Sequence, residues 1–478
     1  MKKYALLIPN AAPAAGVAPV TAPYDGSLLA EVETGDGSHV ETALATANAL
    51  YGDKNGWLPL HERIDVLERA VRLMEDRHEE LSIGAAAEGG KPLIDSRIEV
   101  TRAIDGIKLC IEAVRADHGE VVPMGATAAG AHRIAFTQRQ PIGVVVAVSA
   151  FNHPLNLIVH QVASAVAAGC PVIVKPADDT PLACLEFVQI LHQAGLPPEW
   201  CQVLIATSVD VSQSLVVDAR VAFFTFIGSA RVGWMLRSKL APGTRCALEH
   251  GGAAPLILAE DARMDWALPA IVKGGFYHAG QVCVSVQRIF AHRSIARDFA
   301  AALAAQVDSL KIGDPTQEAT EVGPLIRPAE VQRIHTWVTE AMESGAERLS
   351  GADPISDSCY PCTVLYQPPR DAKVSTQEIF GPVVCVYEYE VLQAAFEQAN
   401  ALPYAFQAAI FTDSIDTASQ AYRHLDASAV MVNDHTAFRV DGMPFAGLKQ
   451  SGLGVGGIPY TVHDMTIEKM LVVHSPDK

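Results

Sequence analysis

Apolar positions recur at helical spacing through residues 39–51 and 61–83, the latter reading ERIDVLERAVRLMEDRHEELSI from residue 62. That spacing predicts amphipathic helices. A further helix is expected over 95–117. From residue 141 the pattern changes. PIGVVVAVSAF and CPVIVKPADD are short, β-rich and apolar on both faces, and the helix-compatible LNLIVHQVASAVAAG lies between them. Strands buried on both faces and joined by a helix predict a parallel βαβ unit. The helix PLACLEFVQILHQAG follows and leads through Gly195 and Pro197 into CQVLIA; RVAFFTFIGSARVGWMLRSKL then repeats strand, glycine turn and helix. The first half therefore reads as a doubly wound parallel sheet.

The alternation restarts with APLILAE, a helix over 265–275, VQRIFAHR, a helix over 294–310, and strands near 384–389 and 408–412. A second α/β layer is expected from it. Two pieces stand outside both layers: the hairpin-like VVPMGATAAGAHRIAFTQRQ at 121–140 and the strand TIEKMLVVHS near the C-terminus. Strands without a core of their own suggest an arm that pairs across a subunit interface.

Bulk properties narrow the function classes. A chain of 478 residues exceeds the reach of one hydrophobic core, so several domains are expected. A net charge of -18 without clustered Lys and Arg argues against nucleic acid or an anionic membrane as the main partner. No apolar run reaches the ~20 residues that span a bilayer. The opening MKKYALLIPNAAPAAGVAPV has its apolar run broken by Pro9, so a cytoplasmic protein is expected rather than an exported one. Nine scattered cysteines show no disulfide framework. Only Cys359 and Cys362 form a C-x-x-C pair, and without a second pair or nearby histidines no metal site is expected.

One cysteine stands in a suggestive place. Cys283, in HAGQVCVSVQRIF, follows a Gly-Gln step and precedes a strand. It reads either as a small buried hydrophobe or as a nucleophile. Three other stretches accompany it: SAFNHPLNL with Asn152, LEHGGAAP with Glu249, and QEIFGPVV with Glu378 and Phe380. Each alone has a structural reading as a turn, a cap or a solvated loop.

Together these stretches resemble the NAD(P)-dependent aldehyde dehydrogenase superfamily. The likeness runs in order through PYDGSLLAEV, FNHPLNL, VIVKPADDTP, FIGSARVG, LEHGGAAP, GQVCVS, EIFGPVV and MPFAGLKQSGLG, almost the whole chain. The resemblance implies a Rossmann-like cofactor domain (1–120 and 141–250), an α/β catalytic domain (251–460) and a small β oligomerisation arm (121–140 and 461–478). It implies a homodimer or homotetramer.

The implied chemistry is oxidation of an aldehyde to its acid through a thiohemiacetal and a thioester. Cys283 is the implied nucleophile. The amide of Asn152 and the backbone N–H of Cys283 are the implied oxyanion hole, and Glu249 the base that activates water. A carboxylate at 249 favours the acid-forming reaction over acyl transfer to coenzyme A. No G-x-G-x-x-G follows the first strand; the resemblance places the pyrophosphate at Gly228 and Ser229 instead. Lys175 and Asp178 are implied at the adenosine ribose, where a carboxylate favours NAD over NADP. Glu378 and Phe380 are implied at the nicotinamide ribose and ring.

Departures from the family pattern are Ile227, His250, Ala253 and Ala446. His250 either perturbs Glu249 or packs against the helix of the Cys283 loop. The substrate pocket is expected to include His153, Val282, Val284, His435, Arg439 and Phe445. Arg439 suggests a semialdehyde or another anionic aldehyde, or else an interface ion pair. Two alternatives stay open: a cofactor-independent thiol esterase using the same Cys283 and Glu249, and a non-catalytic protein of the same fold.

Overall fold

A computed structural model describes residues 2–206 and 208–475; the last three residues of the expected arm and Met1 of the expected cofactor domain lie outside the described residues. The chain begins with a three-stranded sheet, Lys2–Tyr4, Gly16–Thr21 and Leu28–Thr34, with the third strand central. The hydrophobic pattern did not predict it, since proline and glycine interrupt the alternation. The single helix expected over 61–83 is two, Leu60–Asp76 and His78–Gly89. The break falls at Arg77 (φ -107°, ψ 15°), whose guanidinium pairs with Glu80 and Glu186. Leu93–Ala116 forms the long helix expected over 95–117.

The first large sheet runs in the order Gly452–Leu453, Arg245–Glu249, Val221–Ile227, Val144–Val148, Val172–Lys175, Cys201–Val203. All neighbours are parallel except the short Gly452–Leu453 strand. The chain leaves Val144–Val148 toward one edge, through Val172–Lys175 and Cys201–Val203, and returns to its other side at Val221–Ile227. Crossovers diverging from adjacent strands open a crevice at their carboxyl ends, where such sheets bind ligands. Gln161 braces this point by donating to the carbonyls of Val148 (3.2 Å) and Thr225 (3.3 Å).

The second sheet contains seven strands in the order Glu347–Ser350, Thr363–Tyr366, Val383–Tyr389, Val286–His292, Ala254–Leu258, Gln407–Phe411, Ala429–Val432. Only the edge strand Glu347–Ser350 is antiparallel. Helices Met264–Phe276, Ala296–Val307 and Pro328–Glu343 cover it. The last was not expected from the pattern. Near its end the chain returns to the first body: Gly452–Leu453 joins the first sheet, and Ile458, Val462 and Met465 enter its core. Gly452, Leu453 and Ile458 thus pack with the first body although they fall in the 251–460 stretch read as catalytic, as do Val462 and Met465 from the 461–478 stretch read as arm.

The outlying strands meet each other. Arg133–Pro141 pairs antiparallel with Thr466–His474 along nine residue pairs, and Val121–Val122 flanks the other side. Ile134, Phe136, Met470, Leu471, Val472 and Val473 are exposed on this ribbon. The fold is α/β, with two parallel-strand layers and a β arm.

Candidate active site

Cys283 sits in the loop between the single turn Tyr277–Gly280 and the strand Val286–His292. Three consecutive residues enter that loop with positive φ: His278 (51°), Ala279 (53°) and Gly280 (69°). Two non-glycine residues in this region store strain, which persists only where packing holds the backbone. A side chain at Gly280 would meet the Gly381 carbonyl at 2.1 Å, so the sharpest point of the loop admits only glycine. Gln281 then fastens the loop. Its amide donates to the carbonyl of Pro324 (3.2 Å), and its Oε1 accepts from the N–H of Ile326 (3.0 Å).

The walls around the thiol are apolar. Val282, Val284, Phe406 and Phe445 form a small cluster against which Cys283 packs. Burial pushes the Cys283 thiol up to about 12, against the opposing pull of Arg439. A free thiol here is therefore protonated at neutral pH, and becoming nucleophilic requires a base.

Glu249, at the end of strand Arg245–Glu249, lines the same cavity. Burial raises its pKa, with Arg439 acting in the opposite direction. The carboxylate lies directly over Gly456, where an added Cβ would meet Oε1 at 2.0 Å. Asn152 is buried and donates from Nδ2 to the Gln281 carbonyl at 2.9 Å. One N–H of that amide is thereby used, and the other is left for a ligand. The turn behind it is fixed by Glu99, which accepts from the N–H groups of Leu155 (2.9 Å) and Asn156 (3.0 Å) and pairs with the buried Lys91.

A cavity of about 720 Å³ joins these groups to the crevice of the first sheet. Its wall contains Asn152, His153, Lys175, Asp178, Gly228, Ser229, Glu249, Val282, Cys283, Val284, Glu378, Phe380, Arg439 and Phe445. Every site residue expected from the sequence borders this one space except His435, which packs against Gly274. Arg102, Asn156 and Tyr277 also line it, and the sequence reading missed them. They lie on long helical or turn segments whose spacing gives no sign of function.

The far end fits a dinucleotide. Ser229 caps the helix Ala230–Arg237 in extended conformation, yet its hydroxyl makes no capping bond. Unused donors at a helix N-terminus suit a phosphate. The Gly228 N–H is held by the Glu249 carbonyl at 3.0 Å, which links that turn to Glu249. Lys175 pairs with Asp178 at 2.5 Å, and Asp178 remains largely exposed to the cavity mouth. Glu378 accepts from the Gly252 N–H at 3.1 Å, and burial raises it to about 7. Phe380 adopts φ 49° and meets Phe151 edge-on at 5.8 Å. His250 donates from Nδ1 to the Gly228 carbonyl (2.9 Å), between Phe226 and Trp234. It packs on the helix Ala230–Arg237, not on the Cys283 loop.

The model of the aldehyde dehydrogenase family matches residues 11–471. The chain belongs to the aldehyde dehydrogenase family. It is 37% identical over 451 residues to a 3-sulfolactaldehyde dehydrogenase of Priestia megaterium, with 94% of each chain covered. Among solved structures it is similar to aldehyde dehydrogenase 21 from Physcomitrella patens in complex with the reaction product succinate. That match has a TM-score of 0.94 and 33% identity, and covers 99% of this chain and 98% of the other. It is also similar to glyceraldehyde-3-phosphate dehydrogenase GapN from Methanocaldococcus jannaschii complexed with NADP. There the TM-score is 0.91 and the identity 32%, over 96% of this chain and 99% of the other. This aldehyde dehydrogenase is an NAD(P)-dependent oxidoreductase acting on small aldehydes. No helix among the described residues is long and apolar enough to cross a membrane.

Proposed function

We propose that Cys283 is the nucleophile, Asn152 and the Cys283 N–H the oxyanion hole, and Glu249 the base, in oxidation of a short aldehyde that carries an anion. The observation behind the anion is Arg439. Its guanidinium lies 3.6 Å from the Phe445 ring, and its Nε and Nη2 are buried without a hydrogen-bond partner. A buried, unpaired guanidinium is costly, and an anionic substrate group supplies the missing acceptor. The relatives named for sulfolactaldehyde and crystallised with succinate support the same chemistry.

The sequence of steps follows from the site. Glu249 takes the thiol proton, and Sγ of Cys283 bonds to the aldehyde carbon. The carbonyl oxygen gains negative charge between the free N–H of Asn152 and the backbone N–H of Cys283. A bound nicotinamide dinucleotide supplies the hydride acceptor. The carbon is then a thioester on Cys283. Glu249 releases the thiol proton to solvent and then removes a proton from water, which attacks the thioester; the acid leaves and Sγ recovers its proton from Glu249.

Lys175, Ser229, Glu378 and Phe380 would hold the dinucleotide, and Asp178 at the ribose favours NAD, because a carboxylate repels a 2′-phosphate. The exposed apolar ribbon of the arm supports a homo-oligomer. Nine free cysteines support a reducing, cytoplasmic setting.

The test is steady-state reduction of NAD and NADP with succinic semialdehyde and with butanal, in the native enzyme and Arg439→Met. The semialdehyde should be preferred, and the variant should lose that preference through KM while retaining butanal oxidation. An unchanged preference in Arg439→Met would reject the anchor.

A further inference from the structure

We infer that the substrate end of the cavity carries at most one uncompensated positive charge, and that the enzyme therefore selects monoanionic aldehydes, carboxylates or sulfonates, over phosphate-type aldehydes bearing two charges. This rests on Arg439 being the anion anchor. It separates substrate chemistries that the relatives themselves divide between them, since one was crystallised with succinate and another is named for glyceraldehyde 3-phosphate.

Among the described residues two guanidinium groups, those of Arg102 and Arg439, line that end, and one of the two is free. Arg102 grips Asp441 with two hydrogen bonds, Nε to Oδ2 at 2.9 Å and Nη2 to Oδ1 at 2.8 Å. The same carboxylate accepts from Nδ2 of Asn156 at 3.1 Å and is 2.7 Å from Nε2 of His160. Burial alone would raise Asp441, but the His160 hydrogen bond and the Arg102 pairing hold it well below the usual carboxylate range. It stays ionised, and burial pulls His160 down to about 4, so that ring is neutral at physiological pH. Arg102 and Asp441 thus sum to zero.

Among the described residues, nothing else at this end adds a cation. Val282, Val284 and Phe445 are apolar. His153 and His278 are held uncharged, chiefly by burial. Lys91 and Lys273 are paired with Glu99 and Asp95. Glu249 feels Arg439 without any hydrogen bond to it, and an ionised Glu249 would make the total less positive. A second negative charge on the substrate would therefore be desolvated with no counterion.

The experiment compares kcat/KM of the enzyme with NAD for two isosteric aldehydes, 3-sulfopropanal and 3-phosphonopropanal, with butanal as the neutral reference. Each is assayed where the phosphonate has lost both protons and again where it has lost one. The sulfonate should lead the doubly charged phosphonate by about tenfold or more, and the gap should narrow when the phosphonate carries a single charge. A doubly charged phosphonate turned over as well as the sulfonate would overturn the inference while leaving the anion anchor standing. Butanal matching the sulfonate would instead reject the anchor itself. Asp441→Asn, which strips Arg102 of its counterion, should raise the phosphonate-to-sulfonate ratio; a folded variant with an unchanged ratio would overturn the charge count. If that variant does not fold, the wild-type ratio still decides.

Discussion

The side-chain amide of Asn152 donates a 2.9 Å hydrogen bond to the carbonyl of Gln281, two residues before Cys283. The first large sheet and the Cys283 loop of the second are joined at this bond, and the remaining N–H of the amide is what the oxyanion would use. Asn152→Ala removes one donor of the proposed oxyanion hole and the bond to the loop together. We expect kcat to fall by about 10²–10³. Pre-steady-state and steady-state kinetics check it; a kcat within a few-fold of native would place the oxyanion elsewhere.

Glu249 has its pKa raised by burial. In its proposed role as base Glu249 works only when deprotonated, so deacylation should slow as pH falls through a value above the ordinary carboxylate pKa of ~4.3. The pH profile of kcat should show this acidic limb, and Glu249→Gln should lose it. Retention of the limb in the glutamine variant would assign it to another group.

Lys91 and Glu99 are both fully buried, and Glu99 also anchors the N–H groups of Leu155 and Asn156 behind Asn152. Lys91→Met leaves that carboxylate without its cation. The expected destabilisation is about 3–5 kcal/mol, read from the denaturation midpoint. Turnover should fall as well, because the turn carrying Asn152 loses its support.

The arm exposes Met470, Leu471, Val472 and Val473 in succession. Leu471→Asp combined with Val473→Asp should shift sedimentation from an oligomer toward the monomer. An unchanged sedimentation coefficient would remove the arm from the subunit interface.

The parts of this molecule that could be read from its sequence are those with a local period. The parallel strands Val144–Val148 and Val172–Lys175 are apolar on both faces, and Cys283, Glu249 and Glu378 lie in motifs at strand ends or loops. What could not be read depends on distant partners. Arg102 and Asp441 are 339 residues apart and meet only through the fold, so their mutual neutralisation leaves no trace in spacing. The break at Arg77 is of the same kind, since Glu186 comes from a remote helix. His250 was placed beside Glu249 by the sequence, but its ring turns to Gly228 and Trp234.

The most direct test of covalent catalysis at Cys283 is intact-mass and peptide mass spectrometry of the native enzyme, acid-quenched during turnover of NAD and succinic semialdehyde. The account predicts a single adduct with the mass of the succinyl group, on the peptide containing Cys283, and neither adduct nor NADH with Cys283→Ala. No adduct at Cys283 despite NADH formation, or an adduct on another residue, would contradict it.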